Sequence, residues 1–361
     1  MLAGALPASF RRFAATTAQR APLYARLSPG IADRPDVLGI LDEAPEAHRV
    51  PVNLFAAVHD LLLADPGQPL AAWYPNLTAE PRTDDPLEAF VEFCAWHHDA
   101  LVERVSTRFP QTNEIGRGAL LLVGLAAVEA GGRPLAQLDV GASAGLNLLL
   151  EHYGYDYSGH RLGPDRLVLP CEVSGTGQLP AAVPSFSRHL GLDRDPVDLE
   201  DPDQARWLEA CVWPDQTDRF HRLQAAIGIA REQRVEVRRG DAVKDLAAAL
   251  DALGETGHPV VTTSWVLSYL TDEQRAGFVD ELTRWAGRDR DLSWVYAEAP
   301  AYAGGLPGFE DGPGPELTVL GVVQWRGGVR TVRHLATCHP HGYTMRWLPA
   351  GAAAGSAGPA D

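Results

Sequence analysis

Short apolar runs alternate with helical segments through the central part of this chain, and this alternation limits the possible folds more than any other feature. Apolar runs at residues 135–140, 235–239, 260–264 and 293–297 are interleaved with helical periodicity at 146–152, 243–253 and 272–286. Such alternation is typical of a parallel sheet with helices on both faces. We therefore predict an α/β protein with a Rossmann-like, doubly wound sheet.

The flanking segments divide the chain into regions of different character. Residues 1–132 are mostly helical in pattern, with helices expected at 52–63, 86–109 and 115–129, and we interpret them as an N-terminal helical cap region. Residues 133–348 form the predicted Rossmann-like domain. A Pro-, Gly- and Asp-rich stretch at about 160–215 is interpreted as an insertion or lid with short strands, such as one at 166–169, and a helix follows at 218–232. Three closing strands at 317–325, 329–337 and 343–348 predict an antiparallel end to the sheet, and residues 349–361 a disordered tail.

The charge of the chain excludes several classes of partner. A net charge of -16 argues against nucleic acid and against an anionic membrane surface as the main partner. The four cysteines form no CxxC pair, which favours reduced thiols in a cytoplasmic protein and no structural zinc site. The expected partner is therefore a small-molecule substrate.

A glycine-rich turn follows the first predicted strand. The segment Leu-Asp-Val-Gly-Ala-Ser-Ala-Gly-Leu-Asn at 138–147 resembles the first motif of class I S-adenosylmethionine (SAM) methyltransferases, with a serine where a middle glycine is usual. Glycines let the backbone approach a ligand, and a following helix N-terminus can receive a carboxylate. The SAM contacts predicted from this turn are Asp139, Gly141, Ser143, Gly145 and Asn147.

Two other interpretations of the same turn stay open. Gly141-Ala-Ser143-Ala-Gly145 also matches the GxSxG nucleophile elbow of serine hydrolases, for which His341 comes in a suitable chain order. The preceding residues contain no His-Gly pair of the kind that commonly builds a hydrolase oxyanion loop. The turn can also be a glycine-rich connection with no ligand. The dinucleotide fingerprint GxGxxG is absent, which disfavours NAD and FAD.

Further positions downstream fit the same kind of site. Asp241 in Arg-Gly-Asp-Ala resembles the acid that methyltransferases place near the adenine amino group, although it can equally cap the next helix. Asp156, or alternatively Glu172, is the candidate acid for the ribose hydroxyls. The strand at 260–264 resembles the fourth methyltransferase motif, whose end would contact SAM and the acceptor through Ser264, Trp265 and Tyr269.

The whole chain resembles a bacterial family known as domain of unknown function 2332. The resemblance rests on the segments PVNLFAAVH at 51–59, QTNE at 111–114, GASAGLN at 141–147, YDY at 155–157, CE at 171–172, VWPDQ at 212–216 and HPHG at 339–342. It implies a Rossmann-like methyltransferase fold and no particular reaction. The function predicted from the residues is SAM-dependent methyl transfer to a small acceptor; a serine hydrolase and a non-catalytic binding protein are the alternatives.

The QTNE and HPHG segments supply the remaining site candidates. Gln111 and Asn113 are candidate substrate contacts, and Glu114 or His341 a candidate base for the acceptor's proton. QTNE can instead be a capping motif for the helix that follows it. The pair of histidines in HPHG lacks an acidic partner in sequence, so no metal site is predicted.

Overall fold

The computed structural model describes residues 5–287, 290–300 and 317–349, and these group into two compact units. The first contains the described residues up to Thr112 together with Asp198–Ala225, and the second contains Asn113–Val197 and the described residues from Ala226 onward. The segment expected to be an insertion at 160–215 is therefore shared between the units, and the predicted tail beyond residue 349 lies outside the described residues. The helices are α1 (Ala5–Thr17), α2 (Pro22–Ile31), α3 (Pro35–Asp42), α4 (Pro51–Ala64), α5 (Leu87–Trp96), α6 (His98–Thr107), α7 (Arg117–Ala126), α8 (Pro202–Ala210), α9 (Thr217–Gln233), α10 (Leu246–Ala252) and α11 (Asp272–Ala286).

The first unit is helical, as its sequence predicts. Helices α2, α3 and α4 each begin with a proline, whose fixed φ and missing N–H suit the first turn of a helix. The core is rich in aromatic rings: Tyr24 stacks on Phe55 at 4.1 Å, and Phe10 meets the same ring edge-on. The single helix expected at 86–109 is two helices, because the backbone leaves the helical conformation at His97.

The second unit is built on one large sheet. In the described residues its strands are β1 (Leu135–Val140), β2 (Gly154–Tyr157), β3 (His160–Leu162), β4 (Val168–Ser174), β5 (Phe186–Asp193), β6 (Val237–Arg239), β7 (His258–Ser264), β8 (Leu292–Glu298), β9 (Thr318–Arg326), β10 (Val329–Cys338) and β11 (Thr344–Trp347).

The strand order explains where a ligand can bind. The order is β3-β2-β4-β11-β10-β9-β8-β7-β1-β5-β6, and the stretch from β8 to β6 is parallel throughout. After β1 the chain forms β2, β3 and β4 at the far edge of the sheet, adds β5 and β6 on one side of β1, and then returns to form β7 and β8 on the other side. The direction of winding therefore reverses between β1 and β7. In open α/β sheets, ligands bind at the carboxyl ends of the strands at such a reversal.

Both faces of this sheet are covered by helices. On one face, Leu138 and Val261 pack in a core with Phe278 of α11 and with residues of α10. On the other face α7 lies so close that a Cβ at Gly124 would stand 2.4 Å from the Val295 side chain. The prediction of a mixed α/β fold with a large, mostly parallel sheet is confirmed. Strands β9, β10 and β11 pair antiparallel as expected, but they do not end the sheet, because β11 pairs in parallel with β4.

Two predictions in this unit are wrong. Residues 160–193 are not an insertion, because they supply β3, β4 and β5, and β5 is the direct neighbour of β1. The polar residues of β5 concealed it: His189 lies on this strand and hydrogen-bonds Gln137 of β1 instead of packing as an apolar side chain. The α-helix expected at 146–152 is two short 3₁₀ segments, Leu146–Leu148 and Leu150–His152.

Candidate functional site

The turn after β1 is held in a left-handed conformation at three positions. Gly141, Ser143 and Gly145 have φ angles of 74°, 51° and 73°, which favour glycine and are strained for serine. The Gly141 amide donates to the carbonyl of Leu192 at 2.8 Å, which ties the turn to the end of β5. A serine in this conformation is also a property of nucleophile elbows, but the α-helix that follows such an elbow is absent here.

The two glycines of this turn face protein atoms. A Cβ on Gly145 would lie 2.9 Å from Cγ2 of Val237, and one on Gly141 would lie 2.4 Å from Cγ2 of Val266. The expectation that Gly145 is needed for contact with a ligand thus has a competing explanation, since glycine is already required by packing against β6. Gly141 likewise brings the turn after β1 against the residues that follow β7.

Asp139 lies beneath this turn and is fully buried. Its Oδ1 accepts a 2.6 Å hydrogen bond from the Thr262 hydroxyl, which in turn accepts one from the Gln137 amide. Burial raises the pKa of Asp139 to about 7, partly offset by the Thr262 bond. Asn147 is also buried, and its Oδ1 has no hydrogen-bond partner.

The acid that ends the strand beside β1 is Asp193, a residue that the sequence analysis missed. Its carboxylate accepts hydrogen bonds from the amides of Ser143 at 2.7 Å and Asp195 at 2.8 Å. Asp156, the candidate acid for the ribose hydroxyls, does not lie at this end of the sheet: it is on β2, with six strands between β2 and β1, and its carboxylate accepts hydrogen bonds from the Gly159 amide and the Arg161 side chain. The alternative, Glu172, lies on β4 near the same distant edge. Recognising β5 as a strand would have identified Asp193 at its end.

Asp241 follows β6 and caps the turn that leads to α10. Its Oδ1 accepts from the amides of Val243 at 3.0 Å and Lys244 at 3.1 Å, and these bonds lower the pKa of Asp241. The capping interpretation is thereby observed directly. Asp139, Asp193 and Asp241 thus lie at or just beyond the carboxyl ends of three adjacent parallel strands.

The predicted contacts at the end of β7 lie in one turn. The backbone and hydroxyl oxygens of Ser264 both accept from Arg117 Nη1, at 3.1 and 3.3 Å. Trp265 has a φ of 58°, and its indole N–H donates to the Thr318 hydroxyl at 2.7 Å. Tyr269 is 71% exposed. Sequence reasoning missed Arg117 because it begins an apolar helix and carries no motif.

The two candidate bases lie side by side. Glu114 Oε2 and His341 Nδ1 are 3.0 Å apart, and the other Glu114 oxygen accepts from the Gly116 amide, as a capping residue would. Glu114 is 2% exposed. Its neighbour Asn113 donates from its side-chain amide to the carbonyl of Ala142 at 3.4 Å, which places Asn113 beside the turn after β1. Gln111 belongs to the first unit, where its backbone is hydrogen-bonded to the Cys211 thiol.

Two clefts in the second unit lie away from the predicted site residues. Clefts of about 450 and 710 Å³ in the second unit are lined by none of the predicted site residues. In the part of the chain that the structure describes, no group of three or more His, Cys, Asp or Glu side chains could hold a metal. None of the described helices has the length and apolar character needed to cross a membrane.

Comparison with known proteins gives a family but no activity. A family model described as "Uncharacterized protein conserved in bacteria (DUF2332)" matches residues 7–347. One matching solved structure is titled "Structure of the CcbJ Methyltransferase from Streptomyces caelestis"; identity is 13%, coverage is 70% of this chain and 76% of that chain, and the TM-score is 0.24. A TM-score this low carries no argument about fold or function. No curated protein matches the chain.

Proposed function

Because the chain belongs to the uncharacterised bacterial family DUF2332, whose description assigns no reaction, we propose a function from its site: SAM-dependent methyl transfer to a small-molecule acceptor. The observation that carries this proposal is the row of aspartates at the ends of β1, β5 and β6, beside the reversal of the sheet. These are Asp139, Asp193 and Asp241.

The chemistry of this row fits SAM. SAM carries an ammonium group, a ribose diol and an adenine amino group, all of which donate hydrogen bonds, and carboxylates are acceptors. In this proposal Asp139 pairs with the ammonium group, Asp193 holds the ribose and Asp241 receives the adenine amino group. Asp193 and Asp241 already accept hydrogen bonds from backbone amides. Each carboxylate can accept further hydrogen bonds from a ligand, since it has about four lone-pair sites.

One part of the expected site differs from the sequence prediction. The methionine carboxylate was expected at the N-terminus of an α-helix after Gly145, and that segment is a short 3₁₀ turn with little dipole. Asn147 in this turn, buried and with an unpartnered Oδ1, and Ser143 are the remaining candidates for that end of the ligand. The aspartate row therefore carries the proposal, and the helix contributes nothing to it.

The acceptor side is proposed at the turn after β7, together with Asn113, Glu114 and the HPHG segment. SAM supplies an electrophilic methyl group, for which in-line alignment of the acceptor provides most of the rate. In this proposal the exposed Tyr269, together with Trp265 and Asn113, positions the acceptor. Glu114 orients the His341 ring through Nδ1, so that His341 can take a proton from the acceptor.

Mass spectrometry of the purified protein under native conditions tests the proposal directly. We expect co-purified SAM or its demethylated product, or a complex on addition of either.

A serine hydrolase using Ser143 and His341 is the second candidate, because Ser143 has the left-handed φ of an elbow and His341 has an acidic partner in Glu114. Stoichiometric labelling of Ser143 by a fluorophosphonate probe would favour the hydrolase and contradict methyl transfer.

A pair of matched variants tests the ribose assignment. Asp193→Asn should weaken SAM binding roughly 10- to 150-fold, because a charge-assisted hydrogen bond contributes about 1.5–3 kcal/mol. Asp156→Asn, which removes the acid that the sequence suggested, should leave the dissociation constant within twofold of wild type. Isothermal calorimetry measures both. Equal effects of the two substitutions would contradict the role of Asp193.

A further inference from the structure

The turn after β7 contains a tryptophan, Trp265, in a backbone conformation that bulky residues adopt only under constraint. Trp265 has a φ of 58°, in the left-handed region, which is a genuine outlier for a bulky side chain. Such conformations persist where the surroundings over-determine them, and they cluster at ligand sites. The Trp265 amide donates to the carbonyl of Ala297 at 3.1 Å, which extends the pairing of β7 with β8 by one residue.

A buried carboxylate follows this pairing on β8. Glu298 is the last residue of the strand and is 0% exposed. One of its oxygens accepts from the Val266 amide at 3.0 Å, and the other accepts from the Leu267 amide at 3.2 Å. These are the amides of the two residues that follow Trp265, so the Glu298 carboxylate fixes the turn by hydrogen bonds immediately after Trp265.

An arginine holds the other side of the turn. Arg117 donates from Nη1 to the backbone oxygen of Ser264 at 3.1 Å and from Nε to the carbonyl of Pro340 at 2.8 Å. Its guanidinium carbon lies 5.8 Å from the centre of the Trp265 ring. Arg117 is 7% exposed, so these hydrogen bonds are shielded from bulk water. Burial raises the pKa of Glu298 to about 7, and the charge of Arg117 offsets part of that rise.

The turn after β7 contacts the turn after β1, which is proposed to bind SAM. The side chain of Val266 fills the space beside Gly141, where a Cβ would lie only 2.4 Å away. A displacement of Val266 would therefore alter the packing of the turn after β1. Val266 therefore links the two turns: its amide donates to Glu298, and its side chain packs against Gly141.

We propose that Glu298 and Arg117 are positioning residues that clamp the left-handed turn at Trp265 and thereby set the affinity of the adjacent ligand site. Neither residue is assigned a contact with ligand; both act through the turn. The clamp itself stands on the geometry above, whereas its effect on affinity rests on the proposed SAM function.

The test compares Glu298→Gln with a control on the same strand, Ser293→Ala. A glutamine can accept from one of the two amides but presents its own N–H₂ to the other. We expect hydrogen exchange at Val266 and Leu267 to accelerate roughly tenfold or more in Glu298→Gln, and binding of S-adenosylhomocysteine to weaken by a similar factor. Ser293 is buried in β8 and bonds His258 and Gln324, so its loss should affect stability but neither readout.

The outcomes separate the two proposals. Unchanged exchange at Val266 and Leu267 in Glu298→Gln would overturn the clamp. Faster exchange with unchanged affinity would overturn the link between clamp and ligand. A wild-type protein that binds no S-adenosylhomocysteine would overturn the SAM proposal, and the exchange rates would still decide whether Glu298 holds the turn. Should Glu298→Gln fail to fold, Arg117→Lys, which keeps the charge but cannot span Ser264 and Pro340, is measured in the same way.

Discussion

At the scale of single residues, Asp139 should connect ligand binding to pH. Burial raises the pKa of this carboxyl to about 7, so it is largely protonated at pH 6 in the free protein. In the proposed complex it pairs with an ammonium group and must be ionised. Affinity for SAM should therefore rise with pH, by up to about tenfold per unit below pH 7, and level off above it.

Calorimetry between pH 5.5 and 8.5 measures this dependence, and buffers of different ionisation enthalpy report the proton released. Asp139→Asn should bind weakly and lose the dependence, because the amide does not titrate. Asp156→Asn serves as the control, since it lies on distant β2 and should keep the wild-type profile. A wild-type affinity that does not change over this range would rule out the pairing of Asp139 with an ammonium group.

Among the connections between elements, the turn between β6 and α10 allows a test that distinguishes the capping role of Asp241 from a role in ligand binding. Asp241 caps this turn through the amides of Val243 and Lys244, and loss of such a cap costs about 1 kcal/mol. Asp241→Ala should therefore lower the melting temperature and also the SAM affinity. Asp241→Asn should keep the melting temperature, because asparagine caps well, but weaken binding roughly 10- to 150-fold if the charge receives the adenine amino group.

Thermal denaturation and calorimetry on the two variants give the comparison. Affinity within twofold of wild type in both would leave Asp241 with a capping role alone. The same pair of measurements distinguishes a local loss of stability from a loss of ligand contact, which a single alanine variant cannot do.

At the scale of the whole molecule, each unit contains a histidine that burial keeps neutral. Burial lowers the pKa of His59 in the first unit and of His258 in the second to about 4. The unfolded chain binds these protons near pH 6.5, so each lowered pKa destabilises the fold as pH falls from about 6.5 toward 4, by about 3 kcal/mol per histidine. Burial of Asp139 and Glu298, whose pKa values rise to about 7, acts in the opposite direction over the same range.

Single variants can separate the contribution of a buried histidine to the pH dependence of stability from that of the buried carboxyls. His59→Gln should make the melting temperature less sensitive to acid between pH 6.5 and 4, whereas His221→Gln, at an exposed position, should behave as wild type. The comparison is made within each variant across pH, so a constant loss of packing cancels. An identical pH dependence for His59→Gln and wild type would show that His59 is not neutral in the fold.

Elements with a strong local signal could be predicted from the residues alone. Strand β1 and helix α11 were predicted at their observed bounds, because a run of apolar residues or a helical period between clear end signals needs no distant partner. The glycine-rich turn was predicted for the same reason, and Gly141, Ser143 and Gly145 all have positive φ. The candidate residues at the ends of β6 and β7 followed from those strands.

Which strands are neighbours, and therefore which residues form the candidate site, became visible only in the folded structure. Strand β5 is more than forty residues from β1 in sequence and carries polar side chains whose partners lie on other strands, so its pattern did not mark it as part of the sheet. Asp193 was missed with it, and Asp156, which lies on distant β2, was predicted in its place. Glu114 with His341, and Glu298 with the turn at Trp265, are likewise pairs of segments far apart in sequence. Hydrogen bonding and burial across such distances depend on strand pairing, which local periodicity does not specify.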